Sequence, residues 1–422
     1  MPPLLRALGY SLRAAIPLSS RDTLHVGNEL RRSTLDDWWP PVMMMVGAMG
    51  PDTLWNVRGG RRDRLGTYAE WETRRGRGWT ELLGFRGEVV RMNTGDVAGY
   101  NDSTTTTGSA AYAADAAEFN AVNHFRQDIN FDVTALARYE AHAGRILEFG
   151  YARKTRSPSL YERYLWVKRS AMSVDMNGWF GDGNGYTGNL NLRPEIANTF
   201  SASAGWRSKA KGNEGWELKI TPYLTYVQDF IDVQRCPVIN DGSSGCTATR
   251  FAATSGFVTL QFINQAARLY GADATWRAPL GGNDATGRFA LRGVFGYVRG
   301  QNLDSGGNLY EIMPVNGLVG LEHRRGDWSS GFDFQAVDRK SDVEAVRNEL
   351  PTAGYALLNV RTSYRWKLAE NVGIRLDAGV DNLTDRNYAL ALGGRYWVGD
   401  MTGNTQVLAK GRTAFGGLTF EF

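Results

Sequence analysis

The chain has 422 residues, a formal net charge of +4, and 42% hydrophobic against 22% charged residues. That length suits two or three soluble domains or one large barrel, and the small net charge argues against a nucleic-acid footprint. Two cysteines are too few for a disulfide scaffold, and no run approaches the ~18 apolar residues of a membrane helix, Val42–Met49 being the longest candidate. Fifty glycines, 12% aromatics and a mean hydropathy of −0.36 suit a β-rich chain, including a membrane barrel, whose signal per strand is weak. In Met1–Ser20, Arg6 and Arg13 interrupt Leu4, Leu5, Ile16 and Leu18, so this segment does not make a secretory signal.

In chain order, Leu4–Ile16 and Asp22–Arg31 are weak strand candidates, followed by a segment expected to be irregular to about Arg62. Leu65–Thr73 and Trp79–Met92 come next, then a Thr/Ala/Asn-rich stretch to about Gln127 with no predicted element. Phe131, Val133, Ala135, Ala137 and Tyr139 alternate with Asp132, Thr134, Leu136, Arg138 and Glu140, and Leu147, Phe149 and Tyr151 share a face of Arg145–Arg153. Phe200–Arg207 and Trp216–Tyr226 repeat the pattern. Further strands are predicted at about Phe257–Trp276, Gly287–Arg299, Val315–His323, Trp328–Val337 and Gly354–Trp366. In Asn371–Asn382, Val372, Ile374, Leu376, Ala378 and Val380 oppose Gly373, Arg375, Asp377, Gly379 and Asp381. The last strand, Arg412–Phe422, sets Ala414, Gly416, Leu418, Phe420 and Phe422 on one face. The total is roughly fifteen strands of the ~9–11 residues that cross a tilted bilayer path.

Connections separate two architectures. Short ones (P-L-S-S-R, R-R-G-R-G, A-H-A-G, P-L-G-G-N-D, R-G-D, K-L-A-E-N) alternate with long ones along the whole chain. A soluble sandwich uses Greek-key crossings and rarely keeps this asymmetry. A transmembrane barrel has it, with short periplasmic turns and long outer loops. Trp206, Tyr226, Tyr297, Trp328 and Trp366 lie near strand ends, as interface girdles do. The reading is an all-β, antiparallel up-and-down transmembrane β-barrel, with apolar faces in lipid and charged faces in the lumen.

Phe149-Gly-Tyr-Ala-Arg-Lys-Thr-Arg-Ser-Pro-Ser-Leu-Tyr-Glu-Arg-Tyr164 and Asn189-Leu-Asn-Leu-Arg-Pro-Glu195 resemble the strand, loop and strand start of TonB-dependent receptors. Asp381-Asn-Leu-Thr-Asp-Arg-Asn-Tyr388 resembles their turn into the last outer loop, and terminal Phe422 the signal read by barrel-assembly machinery. Trp179–Gly188, after Met172 and Met176, resembles the copper-receptor branch. The resemblance implies that residues 1–422 are the C-terminal part of a plugged barrel of about 22 strands, without counterparts of the plug domain, TonB box or signal peptide. It implies a bacterial outer-membrane location. It also implies uptake of a metal or metal chelate, with copper as transported ligand rather than permanent cofactor. Implied partners are outer-membrane lipid and lipopolysaccharide, the assembly machinery, and the TonB complex only through the missing N-terminal region. A receptor remnant without function and an outer-membrane barrel enzyme are the rival readings. The enzyme reading lacks a Ser/His/Asp arrangement.

Site candidates follow. Met172 and Met176 carry soft thioethers suited to Cu(I), and a helical turn within Tyr161–Met176 would bring both sulfurs to one face; the alternative is packing onto aromatics. Met43, Met44, Met45 and Met49 read as loop packing. Cys236 and Cys246, in one polar loop, pair if the loop lies outside the cell. Gly183–Gly188 matches G-x-G-x-x-G but neither follows a strand nor opens a helix, so turn glycines explain it better. Asp182 and Asn184 give a weak calcium-loop signal that Tyr186 breaks. Arg153, Lys154 and Arg156 read as a solvated rim, with lipopolysaccharide or anionic-substrate contact as the alternative. His25, His124, His142 and His323 sit in separate segments without ligand spacing.

Overall fold

The computed structural model describes residues 4–41, 52–76, 78–100, 109–141, 144–168, 182–208, 215–236, 258–369, 372–393, 395–397 and 404–422. The first half contains β1 (Leu4–Pro17), β2 (Asp22–Trp39), β3 (Leu54–Arg75), β4 (Trp79–Asn93), α1 (Ser109–Asn120), β5 (Arg126–Ala141), β6 (Arg145–Arg156), α2 (Leu160–Tyr164), β7 (Gly185–Thr187) and β8 (Glu195–Arg207). The second contains β9 (Glu217–Arg235), β10 (Thr259–Asn283), β11 (Gly287–Asn302), β12 (Asn316–Arg325), β13 (Trp328–Val337), β14 (Tyr355–Ala369), β15 (Val372–Asp381), β16 (Arg395–Trp397), β17 (Asn404–Gln406) and β18 (Thr413–Glu421).

Among the described residues, one sheet runs β1-β2-β3-β4-β5-β6-β8-β9-β10-β11-β12-β13-β14-β15-β18, and every step along it is antiparallel. Each strand therefore pairs with its predecessor, as tight turns require. β7 adds to β10 in parallel, and β16 and β17 form a separate ribbon. β1 and β18 each have one neighbour, so the wall is not closed.

Register keeps like with like. Val360 lies opposite Val380, Leu376 opposite Leu418, and Ile374 opposite Phe420. The face they share is apolar and exposed: Leu83, Phe85, Ile129, Phe131, Phe149, Phe200, Phe332 and Phe420 all protrude from it. The opposite face carries charge ladders. Arg64 bonds Glu88 at 2.6 Å, Glu88 also receives Arg86 at 3.0 Å, and Lys219 reaches Glu148 at 2.7 Å. Near the short turns the apolar face ends in rings: Trp79 against Tyr139 at 4.8 Å, and Trp328, Tyr364 and Trp366 in edge contacts.

Two expectations need correction. Within the segment expected to be irregular to Arg62, the residues up to Trp39 end β2 and those from Leu54 start β3. There Leu54, Asn56 and Val57 are all fully buried, so both faces meet protein and the alternation that marks a strand vanishes. The Thr/Ala/Asn-rich stretch holds α1, whose S-A-A-Y-A-A-D-A-A-E-F-N sequence is alanine-rich, the best helix former. α2 ends at Tyr164 and its C-cap Leu165 is extended; the Met172–Met176 stretch in which a helical turn was expected lies outside the described residues.

Candidate functional site at the long-connection end

All long connections leave from one end of the sheet, and two buried polar centres gather them there. The first is built by the segment after β6. Ser159 caps α2, accepting from the Glu162 N–H at 3.2 Å while the Glu162 carboxylate accepts from the Ser159 N–H at 2.6 Å. This reciprocal box satisfies two of the orphan donors of a helix start. Arg156, at the end of β6, grips Glu162 with both terminal nitrogens and pairs with Glu195 at the start of β8. Glu195 in turn accepts the Ile231 N–H of β9 at 2.7 Å. Arg163 is 1% exposed and donates to Asp128 at 2.8 Å, to the Leu192 carbonyl at 2.9 Å and to Met92 Sδ at 3.3 Å. The Tyr164 hydroxyl donates to the His124 carbonyl at 2.9 Å, and burial pushes this phenol up to about 12. A side chain at Gly188 would collide with the Arg163 backbone at 2.8 Å, so the chain can return past α2 only as glycine. Tyr100, Tyr112, Phe119, Tyr164 and Trp166 pack over this centre with Leu54, Val57 and Val90. Each fully buried Leu or Val side chain there contributes about 2 kcal/mol.

The second centre joins four connections. Asn184 donates to Asp182 at 2.9 Å and to the Arg347 carbonyl at 3.0 Å, and accepts the Val258 N–H at 3.0 Å. Arg347 donates to Asp232 of β9 at 2.8 Å and stacks on Tyr310 at 4.7 Å. Tyr186 donates to Asp182, and burial followed by the Asp182 charge raises its pKa well above the ordinary phenol value. Burial also raises the Glu344 carboxyl. Burial would lower the Arg347 pKa, but Asp232, Tyr186 and Glu344 together outweigh it and the guanidinium is held charged.

The predicted candidates fall as follows. Met172, Met176, Met43, Met44, Met45, Met49, His142 and Cys246 lie outside the described residues. Cys236 is 5% exposed and disulfide-bonded. Phe422 is fully exposed at the end of β18. Gly183 is a turn glycine, with φ +78°. Asp182 and Asn184 bond each other, which replaces the calcium-loop reading with a structural one. Arg156 is exposed at the rim, as expected, but Glu162 and Glu195 both engage it. Arg153 instead donates to the Phe131 carbonyl, and Lys154 lies 3.8 Å from Asp132. His124 is buried against the Thr94 and Phe119 carbonyls, and half-buried His323 bonds the Thr286 carbonyl. Among the described residues, no group of three or more His, Cys, Asp or Glu side chains is placed to hold a metal. Sequence reading missed Asp128, Asp232, Glu344 and Arg347. Asp128 and Asp232 are isolated charges whose partners, Arg163 and Arg347, are distant in sequence, and Glu344 meets Arg347 three residues on without any motif around the pair, so only Arg163 and Arg156, within a recognisable motif, carried a signal.

The antiparallel meander, its apolar outer face, its charged inner face and the gathered long connections define the wall of a β-barrel of the outer-membrane type. Residues 6–383 match the model described as TonB dependent receptor-like, beta-barrel, and the chain belongs to that family. It is 26% identical over 250 residues to a heme/hemopexin utilization protein C of Haemophilus influenzae, a match covering 56% of this chain and 32% of that protein. Its fold is similar to that of the copper transporter OprC (TM-score 0.70, 18% identity, 99% of this chain and 56% of that one). It is similar also to the Serratia marcescens hemophore receptor HasR, solved with its hemophore HasA and heme (TM-score 0.63, 16% identity, 100% of this chain and 59% of that one). The chain thus spans a third of the curated relative and little more than half of these structures. TonB-dependent receptors work with TonB.

Proposed function

We propose that the chain forms the barrel wall of a receptor that imports copper across the outer membrane, rather than an enzyme. The observation that carries this reading is the pair of thioethers at Met172 and Met176, in the connection between β6 and β8 that both buried centres anchor. Soft sulfur suits Cu(I), and the fold likeness to a copper transporter supports the choice. Copper is cargo here, not a resident cofactor. Two thioethers bind weakly alone, so further ligands come from a plug-bearing region of the complete receptor. In the same reading Cys236 pairs with Cys246 and staples the connection between β9 and β10. Phe422 is offered to the barrel-assembly machinery, and the apolar face meets lipid and lipopolysaccharide. The heme relative favours a second reading, heme or iron-chelate uptake.

The test is uptake by cells carrying the complete receptor, with Met172→Leu/Met176→Leu beside the unaltered protein and with copper and heme supplied separately. The copper reading expects copper uptake to fall several-fold. Unchanged copper uptake in the variant overturns the Met assignment. Heme uptake without copper uptake by the unaltered receptor replaces the reading with the second. Failure of the protein to reach the outer membrane in either case favours the remnant reading.

A further inference from the structure

At the short-turn end of β10, β11 and β12, like charges face each other across the ladder. Register sets Arg277 of β10 opposite Arg292 of β11, and Arg288 of β11 opposite Arg324 of β12. Side chains two apart share a face, so Arg288, Ala290 and Arg292 point the same way, with Glu322 and Arg324 beside them. That way is the lumen. Arg292 reaches Asp333 at 2.8 Å on the charged side of the wall, while Leu321 and Phe332 protrude from the other side. Like charges directly opposite each other are destabilising, and here two such pairs stand on adjacent strands.

The carboxylates of this face are already engaged. Glu322 lies 3.1 Å from Arg292 and 3.7 Å from Arg277, and Asp333 is held by Arg292. Glu217 of β9 stands opposite Arg277. Further round the wall the charges balance: Arg375 has Asp377 at 3.0 Å and Arg361 has Asp381 at 3.4 Å. Among the described residues Arg324 has no ion-pair partner.

The opposed arginines open onto a cavity. Arg277, Arg288 and Arg324 line a recess of 420 Å³, with Pro279 and Ala290 as its apolar part and Glu322 as the one carboxylate among its described lining residues. Its mouth is open at the β10–β11 turn: at Gly281, φ +91°, no neighbouring atom lies within 4 Å of where a side chain would begin. Small-molecule pockets span roughly 300–1,000 Å³, so the recess has room for more than a bare ion. Outer-membrane barrels put their short turns in the periplasm, which places the recess at the periplasmic mouth of the lumen.

We infer that this recess binds a small phosphate monoester. Such a group carries about −1.5 to −2 charge at neutral pH and three acceptor oxygens, against a lining of three guanidiniums and one carboxylate. A carboxylate offers two oxygens and one charge, enough for a single guanidinium fork. Phosphate oxygens reach forks from both strands, so the repulsion between Arg288 and Arg324 becomes shared attraction to one dianion. The organic part of the ester lies along Pro279 and Ala290.

The test is calorimetric titration of the purified chain in detergent with glycerol 3-phosphate, inorganic phosphate, acetate and glycerol. Glycerol 3-phosphate is expected to bind tightest and inorganic phosphate next, with acetate and glycerol far weaker. Losing one hydrogen bond to a charged group lowers affinity on the order of tenfold or more, and Arg324→Gln is expected to do so. Arg324→Lys keeps part of the binding. Arg325→Gln removes the same charge from the opposite face of β12 and leaves the affinity unchanged. Unaltered affinity in Arg324→Gln overturns the site, and so does an equal loss in Arg325→Gln, which would mean diffuse surface charge. Acetate binding as tightly as inorganic phosphate overturns the assignment to phosphate. Inorganic phosphate binding as tightly as glycerol 3-phosphate overturns the assignment to an ester. If Arg324→Gln fails to fold, the order of the four probes on the unaltered chain decides.

Discussion

Arg163 shows how one residue ties a connection to the wall. Its guanidinium is buried with Asp128, the Leu192 carbonyl and Met92 Sδ as partners. Breaking a buried pair from one side strands the other charge. Arg163→Ala is therefore expected to cost about 3–5 kcal/mol, read as a lower unfolding midpoint in detergent, with Asp128→Asn costing less because the guanidinium keeps its carbonyl acceptor. Tyr164 gives a pH signature. Burial raises its phenol to about 12, so the folded state favours the protonated form. That contribution is fully present below the ordinary tyrosine value near 10 and is lost as pH rises through about 12. Tyr164→Phe is expected to lose about 1 kcal/mol at neutral pH with its hydrogen bond and to show a shallower loss of stability between pH 10 and 12. Thermal scans across that range check both; an identical alkaline slope in the variant refutes the assignment.

At the scale of the element, the motifs that looked familiar turn out to be joints. Asp381–Tyr388 leaves β15 through Asn382, which adopts φ +52° and closes on itself: Asn382 Nδ2 donates to the Arg386 carbonyl at 2.9 Å and Oδ1 accepts the Arg386 N–H at 2.8 Å. Its own N–H donates to Asn359 of β14 at 2.8 Å. Asparagine tolerates the left-handed region and bonds its own backbone. Alanine does neither, and Asn382→Ala is expected to cost about 1–3 kcal/mol, measured as a lower midpoint together with faster proteolysis within residues 382–412. The Asn189–Glu195 motif works likewise: Asn189 holds the Phe262 carbonyl and Glu195 receives Arg156. These residues position the long connections, while the cargo-binding candidates lie between them.

At the scale of the molecule, the wall has two free edges among the described residues, at β1 and β18. An edge strand presents unpaired N–H and C=O groups, which hydrocarbon cannot satisfy. Amide exchange is expected to be fast at alternate N–H groups along the outer edges of β1 and β18, and slow through β8, β9 and β10, which are paired on both sides. Uniform protection across all strands of the chain by itself would mean that the edges are covered.

Alternation in Asn371–Asn382 was enough to set a strand, its apolar face and its neighbours, because a wall between lipid and a polar lumen makes adjacent residues differ in kind. Alternating short and long connections likewise gave the order of strands, since tight turns permit only antiparallel neighbours. Where both faces of a segment meet protein, as at Leu54–Val57, the period disappears and the strand became visible only in three dimensions. Arg347 and Asp232, 115 residues apart, are single charges in separate segments, and nothing local marks them as partners. The tertiary structure alone decided which long connections interlock, because a buried ion pair is a property of the packed state and leaves no periodic trace in the chain.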